Sequence, residues 1–459
     1  MTKIIFFELN EVTEEVFRES FSKFKYKKRL DKFIFNPTIS KDKGHLSPWT
    51  TWATIHRGVT NEKHGIMDIN QEIGEKESKY PTIMQSLINL GFKVGVFCSM
   101  HSASVPKENY SNYSFFIPEA FATDHHCNPK SVNNLQKLNL LMSKESARVV
   151  NKKLPKINLI IKASLSYLRH SHKLNGAISS IKQLLSEIIS SWKKVRRRTL
   201  QPIILFDVYM DLLKKNKPDF STFFTNHVAS NMHRFWEAKF PDDYPNLINS
   251  NKWRKRYKNE IDNSMKATSY FLNELVDFVD KNKEFQLWIL SSMGQAAVKD
   301  YKPGKSFWHI KNIQEFFSCI CGKLLVVEEL TQMIPHYSVK SDRETINLIS
   351  DKLNSLESNA KFHIRSKTEV TISIYFETYD IEELWFKQKY NNNYLELKGI
   401  EKIEIDESTG SSAYHVPEGI LYRYGNNIKK IDKKLLDENG FLETHKIKKL
   451  VEDILVVKN

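Results

Sequence analysis

The chain has 459 residues, 41% of them hydrophobic and 27% charged, with only 15 Gly and 14 Pro. That composition supplies a large core and excludes gross disorder. Lys and Arg exceed Asp and Glu by 69 − 54 = 15, a balance that reads either as a surface for anionic partners (phosphorylated substrates, nucleic acid or an acidic membrane) or as solvated, mutually repelling Lys-rich charge. No apolar run reaches the roughly 18 residues of a membrane span. The four cysteines, Cys98, Cys127, Cys319 and Cys321, form no CxxC pair and read as reduced thiols of a cytoplasmic protein. GxGxxG, Walker A and HExxH motifs are absent, which excludes the standard dinucleotide, P-loop and zincin chemistries. No nucleic-acid-binding module is read from the chain.

The first element is an apolar run, residues 3–8, closing in Glu8-Leu9-Asn10-Glu11. Such a run reads as a buried parallel strand, whose carboxyl end is where sites gather in open α/β sheets. Residues 12–34 read as a surface helix with Val12, Val16, Phe17 and Phe21 on one face. A helix over 82–90 stops at Gly91, and 93–98 reads as the next strand. The segment 130–217 is different: it holds 19 Lys and Arg and shows helical apolar spacing, as in Ile178, Ile181, Leu184, Leu185 and Ile188. It reads as an inserted basic helical cap, dividing the chain into a core of 1–129 with 218–459 and an insert of 130–217. Two readings of the cap stand: its apolar faces pack on the core beneath a solvated basic surface, or it contacts an anionic membrane at the periphery. Asn151-Lys152-Lys153 and Arg196–Arg198 read as phosphate contacts or as solvated charge. Residues 219–230 return to strand character, 258–280 form an amphipathic helix, 286–291 a buried strand, and 361–376 alternate as β-structure. A short strand at 420–424 and a closing helix at 445–455 end the pattern.

Four strand-end segments carry polar residues together: Glu8–Glu11, Ser47–Ile66, Thr225–Trp236 and His415–Ile420. Within them stand Arg57-Gly58 before His64-Gly65-Ile66, then His227-Val228-Ala229-Ser230-Asn231-Met232-His233. Ser291-Ser292-Met293-Gly294 and His415-Val416-Pro417-Glu418-Gly419 follow. In this order the segments resemble the type I phosphodiesterase and nucleotide pyrophosphatase branch of the alkaline phosphatase superfamily. The resemblance implies an α/β fold with a mostly parallel sheet flanked by helices. It implies a phosphoester or phosphodiester hydrolase or transferase in which metal ions clamp the phosphoryl group and activate a Thr or Ser hydroxyl.

Carried over position by position, the resemblance keeps Glu8, His233 and His415 and loses three ligands. Ala229, Ser292 and Met293 stand where Asp, Asp and His are expected, and none of them suits zinc or manganese. At most one divalent metal, zinc or manganese, is therefore expected on His233 and His415 with Glu8, and a metal-independent site is the alternative. Thr51 or Thr50 is the expected attacking hydroxyl; His227, read as sharing a strand face with residue 229, is the proton carrier or a substitute ligand, or else a buried histidine hydrogen-bonded in the core. Asn10, Trp52, His56 and Asn226 are the expected substrate contacts, with Trp52 stacking on a sugar or base or else packing in the core. Divergent members of this sort resemble proteins of bacterial surface-polysaccharide clusters. That leaves two further readings: a metal-independent glycosyl or phosphoryl transferase, and a catalytically dead scaffold.

Overall fold

The computed structural model describes residues 2–69, 71, 73–145, 155–171, 173–302, 304–330, 332, 334–390, 393–406 and 410–456. The chain forms two compact units. The first comprises Met1–Leu141, Leu154–Tyr301 and Ser411–Asn459, and the second is built on Lys302–Gly410.

The first unit is organised on an eight-stranded sheet. In chain order its strands are β1 (Lys3–Leu9), β2 (Ile34–Ile39), β3 (Val94–Phe97), β4 (Phe115–Ile117), β5 (Phe220–Thr225), β6 (Phe285–Leu290), β7 (Glu418–Gly425) and β8 (Leu442–Glu443). Across the sheet they run β8-β2-β7-β6-β1-β5-β3-β4. Every neighbouring pair is parallel except those of β7, which runs antiparallel to both β2 and β6. This is the mostly parallel α/β architecture expected from the sequence.

β1 lies near the centre because both of its faces are apolar. Ile4 and Phe6 point to one side, Ile5 and Phe7 to the other, and all four are fully buried. Each such side chain contributes about 1.5–3 kcal/mol by leaving water. On the first side Phe6 meets Phe220 and Trp288. Helices α2 (Pro48–Arg57), α3 (Ile83–Asn89) and α10 (Ile447–Leu455) close over that side through Trp52, Ile55, Leu87 and Val451. On the second side Phe7 meets Phe223 and Phe271. That face is covered by α7 (Arg197–Asn216) and α9 (Glu260–Lys281), which bring in Phe206, Tyr209 and Phe271. Between them in sequence lies α8 (His227–Lys239), and α1 (Glu14–Lys23) follows β1.

The segment read as a cap folds as helices: α4 (Asn133–Glu145), α5 (Ile157–His170), α6 (Asn175–Ile189) and the long α7. α4, α5 and α6 belong with the first unit where they are described, apart from the end of α4. Of the two readings of the cap, the one that packs the apolar faces of α5 and α6 on the core does not hold. Leu165 and Leu168 on α5, and Ile181, Leu185 and Ile188 on α6, face solvent, while Ser166, His170 and Glu187 are buried. Arg196 and Arg197 are engaged by Glu260 and Glu187 rather than open to phosphate. Asn151-Lys152-Lys153 lies outside the described residues.

The second unit holds a four-stranded antiparallel sheet, Lys361–Lys367, Thr371–Glu377, His336–Lys340 and Glu328–Leu330. Helices Ile313–Cys321 and Arg343–Asn354 share its core of Phe316, Phe317, Ile346, Ile349 and Phe376. It contains none of the expected site residues. All four cysteines are free thiols. No helix among the described residues is long and apolar enough to cross a membrane.

Candidate functional site

Part of the singled-out polar set lies at the carboxyl ends of three adjacent strands: Ser291–Gly294 follow β6, Asn10 and Glu11 follow β1, and Asn226 follows β5. The turn after β1 holds Glu11 at a φ of 56°, in the left-handed region that a non-glycine residue rarely adopts. Such strain costs on the order of 1–3 kcal/mol and persists where the surroundings impose it.

Two histidines converge on the Glu11 carboxylate. His233 comes from the second turn of α8 and His415 from the strand Ala413–Val416. That strand pairs with Gly294–Ala297, which directly continues the chain after β6 and sets Gln295 opposite His415. His233 Nε2 lies 2.9 Å and His415 Nε2 3.3 Å from the same oxygen, Glu11 Oε2. His233 Nδ1 is 2.7 Å from the Ala413 carbonyl, and His415 Nδ1 is 2.8 Å from the Leu46 carbonyl. A carbonyl only accepts, so each Nδ1 carries a proton and donates it. Each Nε2 faces the carboxylate: in the neutral ring it offers a lone pair there, and in the imidazolium it donates to the oxygen. A neutral pair of rings beside this anionic oxygen leaves room for a cation, and a protonated ring satisfies the carboxylate directly. Among the described residues these three form the one group of histidine, cysteine and carboxylate donors close enough to hold an ion.

The surroundings fix this arrangement. Asn10 Nδ2 donates to Glu11 Oε1 at 2.7 Å and to Asn226 Oδ1 at 2.8 Å. Trp52 Nε1 donates to Asn10 Oδ1 at 2.8 Å, which decides the orientation of that amide. Gln295 Nε2 donates to Glu11 Oε2 at 2.5 Å and to the Ala229 carbonyl at 3.1 Å. Its buried Oε1 has no hydrogen-bond partner among the described residues. Burial alone would push the Glu11 carboxyl up, but His415 and His233 hold it well below the usual carboxylate range. Burial likewise opposes protonation of His415, yet Glu11 raises its pKa overall.

Glu8, the carboxylate expected beside the two histidines, is buried within β1 and pairs elsewhere. Its Oε1 is 2.7 Å from His56 Nε2, and its Oε2 accepts from Ser99 Oγ at 2.5 Å. The period of two along a strand explains the partner: Glu8 shares the face of Ile4 and Phe6, over which α2 lies. Glu11, three residues on and past the strand end, is the carboxylate that meets His233 and His415. Its presence in the same acidic segment was the available signal, but the turn that aims it was not readable.

Ser47 caps α2, accepting from Trp49 N, with Pro48 in the first turn and Gly58 in the left-handed position after the last. Thr51 is in the first turns, fully buried, and its hydroxyl lies 2.8 Å from Ser292 Oγ and 3.2 Å from the Ser47 carbonyl. Thr50 is also buried and its hydroxyl faces Met67 Sδ at 3.9 Å. Trp52 is fully buried and serves Asn10 through its indole N–H instead of offering a stacking face. Asn226 is exposed and marks where the network reaches solvent.

His227 does not continue the strand. β5 ends at Thr225, and His227 opens α8, so the strand-face relation to residue 229 does not exist. Its ring is buried, with Nδ1 2.7 Å from Thr225 Oγ1 and Nε2 3.1 Å from both the Ser264 carbonyl and Thr268 Oγ1. Burial lowers its pKa to about 4. It is a hydrogen-bonded core histidine.

No protein-family model and no curated protein matches this chain. Among solved structures it is similar to a murine ectonucleotide pyrophosphatase/phosphodiesterase 5, at 10% identity over 99% of this chain and 95% of that one, with a TM-score of 0.37. It is similar to phosphonoacetate hydrolase from Sinorhizobium meliloti 1021, at 12% identity over 99% and 96%, with a TM-score of 0.38. The alkaline phosphatase of the Antarctic bacterium TAB5 gives 9% identity over 99% of each chain and a TM-score of 0.36. These neighbours are members of the alkaline phosphatase superfamily. With scores this low, the chemistry has to be read from the residues themselves.

Proposed function

We propose that the chain is a phosphoester- or phosphodiester-processing enzyme, of hydrolase or transferase type, acting on an anionic nucleotide-linked or glycan-precursor substrate. One divalent cation, zinc or manganese, would be held by Glu11 Oε2, His233 Nε2 and His415 Nε2. The observation that carries this reading is the convergence of those three atoms while both Nδ1 protons are committed to carbonyls. Carbonyl-anchored imidazoles with free Nε2 lone pairs are the arrangement that orients histidines toward a metal. Two nitrogens and one carboxylate oxygen suit zinc, leaving room for a further ligand. A bound ion would polarise a phosphoryl oxygen and stabilise its charge.

The chain's own residues then divide the remaining work. Gln295 and Asn10 hold the Glu11 carboxylate, and Trp52 holds Asn10. Asn226, at the exposed edge, meets the substrate. Thr51 is the attacking hydroxyl of this reading, because it shares a hydrogen bond with Ser292, three residues before Gln295. The positive end of α2 favours a phosphate beside it.

A second reading rests on the raised pKa of His415. Glu11 and a protonated histidine would act as an acid–base group in a metal-independent transfer. Metal analysis with an activity screen separates the two. The purified chain is loaded with zinc or manganese, dialysed, and assayed for metal and for turnover of phosphodiesters and nucleotide sugars. About one equivalent of metal, lost in Glu11→Gln, His233→Ala and His415→Ala, supports the first reading. Turnover without metal under any loading condition overturns it in favour of the second. Neither metal nor turnover leaves a binding protein.

A further inference from the structure

We propose that α5 and α6 form a docking face for an anionic lipid bilayer, with the apolar stripe of both helices set into the headgroup region. This inference is independent of the reading of the Glu11 site.

The two helices are built inside out. On α5, Ile157, Ile161 and Leu165 recur at helical spacing and all are exposed. On α6, Ile181, Leu185 and Ile188 do the same, Ile188 being 82% exposed and its neighbour Ile189 80%. A soluble protein ordinarily turns such stripes inward, and exposed apolar stripes of this kind mark an interaction site.

The orientation is enforced by polar contacts on the opposite faces. On α5, Ser166 Oγ donates to the Ser131 carbonyl at 2.5 Å, and the Tyr167 hydroxyl donates to Asp207 Oδ2 at 2.6 Å. On α6, Gly176 N donates to the same Asp207 oxygen at 2.8 Å. Buried Glu187 takes a two-pronged bond from Arg197, with contacts of 2.9 and 2.5 Å. Gly176 itself lies so close to Ile204 Cα that a Cβ would approach it to 3.1 Å. Rotating either helix to hide its stripe would break these buried polar bonds, each costly to leave unmade.

Charge selects the partner. Residues 155–198 carry ten Lys and Arg and a single acid, Glu187, which is buried against Arg197. Lys162, Arg169 and Lys182 are exposed on the same two helices as the apolar stripe. An apolar stripe edged by cations, with no exposed acid, complements a negatively charged bilayer surface. The helices have 14 and 15 residues, short of the roughly 20 needed to span, so they would lie in the interface.

The test is vesicle co-sedimentation of the full chain. Phosphatidylcholine vesicles are compared with vesicles of equal parts phosphatidylcholine and phosphatidylglycerol, at low and high salt. Binding should strengthen by roughly tenfold or more with the anionic lipid and weaken with salt. The triple variant Ile181→Ser, Leu185→Ser, Ile188→Ser alters only exposed side chains and should abolish sedimentation. Lys162→Glu with Lys182→Glu should remove the preference for anionic lipid. Circular dichroism verifies that the variants fold. Equal sedimentation with neutral and anionic vesicles, or no sedimentation of the folded wild type, overturns the proposal. So does self-association on light scattering that the triple variant abolishes while vesicles bind neither form.

Discussion

His227 tests whether a buried histidine near a site belongs to its chemistry or to its scaffold. In the folded chain its Nε2 donates to the Ser264 carbonyl and its Nδ1 accepts from Thr225, an arrangement only the neutral ring can make. Burial lowers its pKa from 6.5 to about 4. The unfolded chain therefore takes up a proton between pH 6.5 and 4 that the folded chain refuses. Stability linked to His227 is fully present above pH 6.5 and is lost as pH falls through 4. The gap of 6.5 − 4 = 2.5 pH units corresponds to about 3 kcal/mol, at about 1.4 kcal/mol per unit. His227→Gln retains a donor for Ser264 but cannot titrate. Relative to wild type it should lose about 1–2 kcal/mol at pH 8, through imperfect replacement of the hydrogen bonds. That deficit should shrink or reverse by pH 4. Urea unfolding of both proteins at intervals from pH 8 to 4, followed by the tryptophans of the first unit, reads the difference. Histidine-labelled NMR reads the titration directly. A stability difference constant across that range, or a His227 midpoint near 6.5, would refute the reasoning. A variant that stays folded at pH 8 but is catalytically dead would return His227 to the chemistry.

Glu119 makes the opposite prediction. Burial raises its carboxyl to about 7, against weaker stabilisation by backbone N–H groups, so its burial opposes folding increasingly as pH rises from 4.5 to 7. Glu119→Gln should therefore be more stable than wild type at pH 8, by up to about 3 kcal/mol, and lose that advantage near pH 5 in thermal melts. Gly95 offers a steric prediction. A Cβ there would meet the Phe115 ring at 2.3 Å within the β3–β4 pair. Gly95→Ala should then cost about 1–3 kcal/mol in urea unfolding, and a neutral result would mean that the ring moves freely.

The central strands were legible because a strand buried on both faces must be apolar throughout, and Ile4–Phe7 and Leu287–Leu290 are. His233 and His415 were legible only through the family resemblance of the motifs that hold them, and the structure brings them to one carboxylate. The choice of Glu11 over Glu8 was not, because it depends on where β1 ends and on a left-handed turn that no propensity marks for glutamate. Gln295 escaped notice because an amide is not a usual ligand. Its signal was its place just after a buried strand. His227 was misassigned to a strand although Val228, Met232 and Phe235 already follow the spacing of a helix. The direction of the cap's apolar faces could not be read from periodicity, which gives a stripe but not the side on which the core lies.

The ribbon that carries Gln295 and His415 has a topological consequence. After Gly294–Ala297 the chain leaves for the second unit and comes back at Ala413–Val416, and Val298 N bonds the Ser412 carbonyl at 2.9 Å. The excursion begins and ends at neighbouring backbone groups, so the second unit is, in the path of the chain, the loop of a hairpin. Its exchange for a tight turn would leave both strands in register, and the first unit would keep its donors while shedding about a quarter of the chain's length. The two strands on which the site depends are thus tied together at the neck of the excursion, by residues that belong to the first unit.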